Sequence, residues 1–290
     1  MARARELRKR IKSIESTRKI THTMELVATS KLKRAQDRVH ATRPYAKKLR
    51  DMLAAVAAQA PSDASHPLLR TPESVKRVAL FLITANRGLC GAFNTNLIRL
   101  ARQYLAEARA AGREVDLYVA GKKGIAYFRY TKVSMKETYT TLSDKPNFEE
   151  AGKVAETFIA RYIKGECDQV DVIYAQFQSA GRQVPVCERL LPVPKPEAAK
   201  GGEMIEFLYE PGPGPILDSI LPLYVKVSLL GALVDSQASE QSARRIAMKA
   251  ATDNAGDLIR SLRLNYNKAR QSMITQELAE IMGGIEALKG

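Results

Sequence analysis

The stretch MELVATSKLKRAQ, Met24 to Gln36, places Ala28, Leu32 and Ala35 at alternating spacings of four and three residues. That spacing is typical of the seam along which two helices pair in a coiled coil. The stretch contains no Gly or Pro and many good helix formers, so it predicts a helix. Its polar and apolar residues do not otherwise separate into two faces, as they do on an ordinary amphipathic helix. We therefore predict a helix that pairs along one seam and keeps a mixed outer surface.

The same seam extends along the first sixty residues. The only helix breaker in this segment is Pro44, which is expected to bend the helix or to end its first part. Three polar seam positions in succession, Arg18, Thr21 and Glu25, interrupt the series. The other seam residues are Leu7, Ile11, Ile14, Ala28, Leu32, Ala35, Val39, Thr42, Ala46, Leu49, Leu53 and Val56. The Pro- and Ser-containing segment APSDASHPLLRTP then ends the helix.

A second long helix is predicted at the other end of the chain. No proline follows Pro222, and a helix over most of the remaining residues would be on the order of 90 to 100 Å long, too long for a globular domain of this size to surround. Its seam slips by one residue near Thr275. The seam residues are Ala255, Ile259, Leu262, Tyr266, Ala269 and Met273, then Ile274, Leu278, Ile281, Ile285 and Leu288. We expect the two terminal helices to pair as a long antiparallel coiled coil.

Between these helices the pattern changes to alternating strands and helices. VKRVALFLITA, VDLYVAG and VDVIYAQFQ are apolar runs of strand length, and TNLIRLARQYLAEARAAG and NFEEAGKVAETFIARYIKGECDQ are helical segments between them. This alternation predicts an α/β fold with a largely parallel, Rossmann-like sheet. One more short strand, MIEFLYE, is expected at 204–210. The predicted domains are an N-terminal coiled-coil helix (1–60), a central α/β domain (75–215) and a C-terminal coiled-coil helix (216–290).

Positive charge is concentrated near the N-terminus. The 290-residue chain carries a formal net charge of +15, and its first fifty residues hold sixteen Lys and Arg against four Asp and Glu. Such a block indicates an anionic partner, which could be nucleic acid, a membrane surface or an acidic protein surface. The chain has no Trp, and the single aromatic residue of the block, Tyr45, is too little to stack on successive bases, which disfavours a nucleic-acid arm. Contact with acidic protein surfaces is favoured over a plainly solvated face.

The three cysteines, Cys90, Cys167 and Cys187, have no C-x-x-C spacing and indicate neither a disulfide framework nor a zinc site. A reducing compartment is the natural interpretation. No apolar run reaches the roughly 18 to 20 residues of a membrane helix, and the Arg-rich start is not followed by the apolar region of a signal peptide. We expect a soluble chain with no membrane span.

The segment GLCGAF, 88–93, follows a predicted strand and precedes a helix, where a phosphate-binding loop would lie. It matches neither G-x-G-x-x-G nor G-x-x-x-x-G-K-[ST], so a structural turn or a surface for a protein partner is favoured over a nucleotide site. The histidines, His22, His40 and His66, are scattered, and the acids of the helices occupy solvent-type positions. No catalytic residue, metal site or cofactor is therefore predicted, and the chain is not expected to be an enzyme on its own.

Two terminal blocks and one turn resemble a known family. RELRKRIKSIESTRKITHTMELVATSKLKRAQ, 5–36, and SEQSARRIAMKAATDNAGDLIRSLRLNYNKARQSMITQELAEIMGGIEAL, 239–288, resemble the terminal signatures of the γ subunit of F-type ATP synthase. TANRGLCGAFNTN, 84–96, resembles that family's central turn. The resemblance covers nearly the whole chain in the family's order. The absence of an inserted cysteine-pair segment and of a transit peptide favours the bacterial type.

The resemblance implies a non-catalytic rotor subunit in the central stalk of the F1 complex, which couples ion flow through the membrane c ring to ATP synthesis or hydrolysis at the α/β hexamer. The implied partners are three α and three β subunits, the ε subunit and the c ring, and the nucleotides bind to α and β. The implied location is peripheral, on the cytoplasmic side of the plasma membrane. A shaft of this kind needs sides that differ, because each β subunit must be stabilised in a different state at each angle.

Matching motifs carry over the family's contact residues. The resemblance implies contacts with β at Met24, Arg244, Arg270, Gln271 and Thr275. It implies contacts with the acidic lever loop of β at Lys19, Lys33, Arg34, Arg87 and Cys90. It implies contacts with polar loops of the c ring at Phe207, Tyr209 and Glu210. Residues 281–288 are expected to turn in an apolar bearing at the top of the hexamer.

Two other functions stay open from the sequence. A basic coiled-coil nucleic-acid-binding protein would bind DNA or RNA with a steep salt dependence. A nucleotide-dependent enzyme built on the α/β domain would hydrolyse ATP without other subunits.

Overall fold

The computed structural model describes residues 2–59, 66–70, 72–142, 146–194 and 212–287. The strand predicted at 204–210 lies outside the described residues. The predicted c-ring contacts, Phe207, Tyr209 and Glu210, lie outside the described residues as well. So does Leu288, the last predicted seam residue of the C-terminal helix.

Both terminal segments form single long helices. Helix α1 (Ala2–Gln59) passes through Pro44 without ending, so the prediction that its first part could end there is wrong. A short 3-10 helix (Pro67–Leu69) follows it in the chain. Helix α5 (Pro213–Ala287) contains Pro222 and begins nine residues before it. In both cases one missing backbone hydrogen bond is outweighed by the packing of a continuous seam.

The central sheet has five strands in the order β3-β2-β1-β4-β5. The strands are β1 (Arg77–Ile83), β2 (Glu114–Ala120), β3 (Glu137–Tyr139), β4 (Gln169–Phe177) and β5 (Gln183–Leu191). The first four are mutually parallel and β5 pairs antiparallel with β4. The connecting helices are α2 (Phe93–Ala110), α3 (Lys122–Tyr130) and α4 (Phe148–Ile163). The predicted α/β fold with a largely parallel sheet is confirmed, while β3, β5 and α3 were not predicted.

Both faces of the sheet are covered. Successive side chains of β1 point to opposite faces, and they enter two different cores. Phe81 packs with Phe158 of α4 on one face, in a core to which α5 and the last turns of α1 also contribute. Leu80 and Leu82 lie in a second core on the other face, with residues of α2 and α3. The sheet is therefore buried on both sides, as its near-continuous apolar strands predict.

The chain divides into two compact units, Thr29–Arg244 on the one hand and Met1–Ala28 with Arg245–Gly290 on the other. Helices α1 and α5 contribute to both units. We refer to Thr29–Arg244 as the sheet unit and to the other as the helical unit. The three predicted domain ranges stay a prediction.

Within the sheet unit, α1 and α5 run antiparallel. Leu32, Ala35 and Val39 of α1 form a buried cluster with Val234 and Ala238 of α5. Farther along α1, buried seam residues Leu49, Leu53 and Val56 join the sheet core. As residue numbers rise along α1, the α5 residues in the same cluster have lower numbers, as the antiparallel prediction requires.

Within the helical unit, the two helices are also antiparallel. The hydroxyls of Thr21 and Thr252 are 2.8 Å apart, and Arg263 forms an ion pair with Glu15 at 2.7 Å. Among the described residues the buried seam of α5 ends with Leu262, and Met273 is half-buried. After the predicted register slip the apolar side chains are 44–59% exposed; these are Ile274, Leu278, Ile281 and Ile285.

Helix α5 also contains one segment long and apolar enough, by length and composition alone, to cross a membrane, with a mean hydropathy of 1.6. A share of 44% of that segment is buried inside the protein, and core helices of soluble proteins pass the same test. The expectation that no apolar run reaches the length of a membrane helix is therefore wrong for α5. Apolar residues of α5 from Leu217 to Leu233 pack in the core beside the sheet.

Candidate partner-binding surfaces

The turn after β1, residues 84–92, is held by its own polar groups. Thr84 Oγ1 donates to the Ala120 carbonyl oxygen at 2.8 Å and accepts from the Gly124 amide at 3.0 Å. Gly121 has φ 97°, and a Cβ there would lie 2.1 Å from the carbonyl oxygen of Thr84, so only glycine fits. The Asn94 side chain accepts from the Ala85 amide at 2.9 Å. These hydrogen bonds fix the start of the turn to the end of β2 and to the first turns of α2 and α3.

Arg244 of α5 is attached to this turn. Its Nη2 donates to the Gly88 carbonyl oxygen at 3.3 Å and lies 2.7 Å from Oε1 of Glu240, one helical turn away. The two side chains are only 10% and 7% exposed. The expectation that the acids of the helices occupy solvent-type positions is therefore wrong for Glu240, because the sheet unit encloses this face of α5.

Two serines extend the attachment along α5. Ser239 Oγ donates to the Ala175 carbonyl oxygen of β4 at 2.9 Å, and Ser242 Oγ donates to the Ala180 carbonyl oxygen at 2.5 Å. Helix α5 therefore contacts both the segment after β1 and the segment at the carboxyl end of β4. Strands β1 and β4 are neighbours in the sheet. Open α/β sheets bind their ligands at this edge, between strands whose connections leave in opposite directions. In this chain a helix takes that position.

The structure distributes the predicted β-contact residues over both units. Arg244 is buried in the sheet unit, with 9% of its surface exposed. In the helical unit Met24 is half-buried, and Arg270, Gln271 and Thr275 are exposed. Thr275 Oγ1 donates to the Gln271 carbonyl oxygen at 3.0 Å. The Arg270 guanidinium has no side-chain partner in the described part of the chain. Their contacts with β stay predictions.

The predicted lever-loop residues also differ in exposure. Lys19, Lys33, Arg34 and Arg87 are exposed, and Lys33 forms an ion pair with Asp37 at 3.2 Å.

Cys90 differs from the other four predicted lever-loop residues because it is only 2% exposed. Its sulfur accepts a hydrogen bond from the Asn94 side chain at 3.1 Å. Burial raises the pKa of the Cys90 thiol, with a smaller opposing effect of Arg244. The thiol of Cys90 therefore shapes the turn from inside, and within the predicted lever-loop set the exposed side chain of this turn is Arg87.

Sequence reasoning missed Glu240, Ser239 and Ser242 as residues that attach α5 to the rest of the sheet unit, although all three lie in the quoted C-terminal block. A Glu and an Arg four residues apart on a helix usually form a solvated surface pair, so their spacing gives no signal of burial. Within the described residues, no group of three or more His, Cys, Asp and Glu is placed to hold a metal ion.

Comparisons with known proteins identify relatives along the whole chain. The family model described as ATP synthase matches residues 3–288. The ATP synthase gamma chain of Gemmatimonas aurantiaca is 48% identical over the full length of both chains, and that of Leptospira biflexa is 43% identical over 99% of this chain and all of the relative. These two chains come from bacteria, as the resemblance to the bacterial type predicts.

Solved structures of ATP synthases contain chains with a similar fold. A chain from the central stalk and c-ring structure of Tetrahymena thermophila mitochondrial ATP synthase aligns with a TM-score of 0.60 at 25% identity, covering 80% of this chain and 99% of that chain. A chain of the Euglena gracilis mitochondrial ATP synthase has a TM-score of 0.68 at 20% identity over 99% and 95% of the two chains, which supports the fold alone. Since the family model and the curated relatives span the whole chain, this protein belongs to the gamma chain family of ATP synthases.

Proposed function

We propose that the chain is the central-stalk rotor subunit of an F1Fo ATP synthase. It couples ion flow through the membrane c ring to ATP synthesis or hydrolysis at the α/β hexamer and has no catalytic site of its own. The observation that carries the proposal is the full-length match to gamma chains, combined with terminal helices that pair antiparallel within each unit. The nucleic-acid-binding alternative receives no support from these comparisons.

The partners are three α and three β subunits, the ε subunit and the c ring, and the complex lies on the cytoplasmic side of the plasma membrane. In this proposal 1–60 and 216–290 form the shaft, and 75–215 forms the domain near the c ring. The concentration of positive charge on the exposed face of α1 supports a contact with acidic surfaces of β.

A rotor must bind its neighbours differently at each angle. The exposed residues of the helical unit are of two kinds. Lys19 on α1 and Arg270 with Gln271 on α5 are exposed and polar, whereas Ile281 and Ile285 are exposed and apolar. We propose that Arg270 and Gln271 contact β, together with Met24, Arg244 and Thr275, and that the apolar end turns in the bearing. In this proposal Lys19, Lys33, Arg34 and Arg87 contact the lever loop of β, and Cys90 contributes through the turn that carries Arg87. Phe207, Tyr209 and Glu210 contact the c ring.

The experiment is affinity purification of the tagged chain followed by subunit quantification. The proposal predicts three α and three β subunits per copy, and no ATP hydrolysis by the isolated chain. Recovery of the chain without α and β would overturn the proposed function. Submicromolar binding of the isolated chain to a specific DNA or RNA would favour the nucleic-acid alternative.

The proposed contacts are tested separately with Arg270→Glu, which reverses an exposed, unpartnered charge. We expect the complex to assemble and ATP-driven proton pumping to fall several-fold relative to ATP hydrolysis. The matched control is Arg260→Glu on the same helix, where the side chain is 80% exposed and pairs with Asp257 within one turn. Equal pumping by both variants would reject Arg270 as a contact while leaving the proposed function intact.

A further inference from the structure

A cleft of about 160 Å³ lies in the sheet unit where α1, α5, β4 and β5 meet. Its apolar lining includes Val39 and Ala46 of α1, Val172 of β4, Leu190 of β5 and Val227 of α5. A dry cavity of about 150 Å³ in a protein core is large enough to bind benzene. The cleft therefore has room for one aromatic ring, and apolar side chains from four elements to contact it.

Gly231 lines the cleft from the middle of α5. A Cβ added there would meet no atom within 4 Å, and the residue does not have a positive φ. A glycine in a helix interior is destabilising relative to alanine. Neither close packing nor backbone conformation requires this glycine, so what it provides is open space beside the helix.

The polar lining of the cleft carries a net positive charge, since three arginines face two carboxylates. Arg43 is engaged, because its Nη2 donates to the Phe177 carbonyl oxygen at 2.6 Å and pairs with Asp235 at 3.3 Å. Arg189 lies 4.0 Å from Asp171. Arg50 has neither an ion pair nor a side-chain hydrogen bond within the described residues, which leaves one guanidinium at the cleft for an anion.

Two tyrosines, Tyr174 and Tyr224, complete the lining. Tyr174 is 5% exposed, and burial, followed by the charge of Glu188, raises the pKa of its phenol. Tyr174 is therefore a neutral phenol, whose ring adds apolar contact area without adding negative charge that would repel an anion.

We propose that this cleft binds a small aromatic carboxylate. The ring occupies the apolar space beside Gly231, and the carboxylate pairs with the Arg50 guanidinium, whose planar geometry suits a bidentate contact. None of the residues that line the cleft is among those proposed to contact β or the c ring, so the site adds a ligand to the function proposed above.

The probe is benzoate, titrated into the full chain and followed by ligand-observed NMR and calorimetry. We expect saturable binding with a dissociation constant on the order of 1 mM, as is reasonable for a ligand of this size. Benzyl alcohol, which keeps the ring and lacks the charge, should bind about tenfold more weakly. Failure of benzoate to saturate by about 20 mM, or equal affinities of the two probes, would overturn the proposal.

Two variants locate the site. Gly231→Leu fills the cleft and should abolish binding of both probes, whereas the control Gly214→Leu on the same helix should leave both unchanged. Arg50→Gln should weaken benzoate about tenfold and leave benzyl alcohol unchanged, with Arg38→Gln as its matched control outside the cleft. If Gly231→Leu does not fold, Gly231→Ala serves instead, with a higher melting temperature and weaker benzoate binding expected. Undiminished benzoate binding by a folded Gly231 variant would contradict the proposal.

Discussion

The Nη2 atom of Arg244 lies 3.3 Å from the carbonyl oxygen of Gly88, so helix α5 is hydrogen-bonded to the turn that follows β1. The same guanidinium pairs with Glu240 in a buried environment. An interaction at this position fixes the long C-terminal helix to the edge of the sheet where other α/β domains bind ligands. A rotor needs such an attachment, because torque passes between its helices and its domain only through contacts that do not slip.

Arg244→Met is expected to destabilise the chain by about 2–4 kcal/mol, since it removes the cation that lies 2.7 Å from the buried Glu240 carboxylate and the hydrogen bond to Gly88. The double variant Arg244→Met with Glu240→Leu should recover most of this loss, because it removes both charges. Urea-induced unfolding followed by circular dichroism measures both. The control is Arg260→Met in an exposed pair, which should change the free energy of unfolding by no more than about 0.5 kcal/mol.

The seam of the helical unit predicts unequal effects of two similar substitutions on α5. Ile259 is 4% exposed, and Ile259→Ala should cost about 2–4 kcal/mol of unfolding free energy. Ile274 is 44% exposed in the free chain, and Ile274→Ala should cost well under about 1 kcal/mol. Equal losses in a urea titration would show that the buried seam of α5 continues beyond Leu262 to Ile274.

Asp171 predicts a pH dependence of stability. Burial raises the pKa of its carboxyl, and the hydrogen bonds from Tyr104 and Gln169 oppose this shift only in part. The folded state therefore holds the proton more tightly than the unfolded state. The resulting stabilisation is fully present below the ordinary pKa of 3.8 and is lost as the pH rises through the higher folded value.

Asp171→Asn removes this titration. We subtract the unfolding free energy of the variant from that of the wild-type chain. This difference should decrease as the pH is raised from 3.8 to 7. Urea titrations at several pH values measure the difference. A difference that rises with pH would show that the hydrogen bonds to the carboxylate outweigh its burial.

Cys187 should react slowly despite its exposed position on β5. Burial of the sulfur and the charges of Asp171 and Glu188 raise the pKa of its thiol to about 12, so little thiolate is present at neutral pH. Alkylation by iodoacetamide should accelerate about tenfold per pH unit between pH 7 and pH 9. An alkylation rate at pH 7 that matches that of a free cysteine peptide would contradict this environment.

The long helices could be predicted because a seam repeated over many turns is a strong signal. Leu32, Val39 and Leu53 were expected on it and are buried. The fate of Pro44 could not be predicted, because the sequence does not show how much packing is available to offset one lost hydrogen bond.

The sheet was predicted in part. Strands β1, β2 and β4 are buried on both sides and read as apolar runs, whereas β5 contains Pro185 and an exposed polar middle. Strand β3 has only three residues, too few to give a pattern. The burial of Glu240 depends on which face of α5 meets the sheet, and that is a property of the tertiary structure.

Rotation of this chain within the α/β hexamer is the central claim, and single-molecule imaging tests it most directly. The variant Tyr130→Cys, at a side chain 86% exposed on α3, with Cys187→Ser, would carry a bead while the hexamer is fixed to a surface. The account predicts unidirectional rotation of the bead that requires ATP and stops when ATP is withdrawn. A bead that stays still while the same complexes hydrolyse ATP would contradict it.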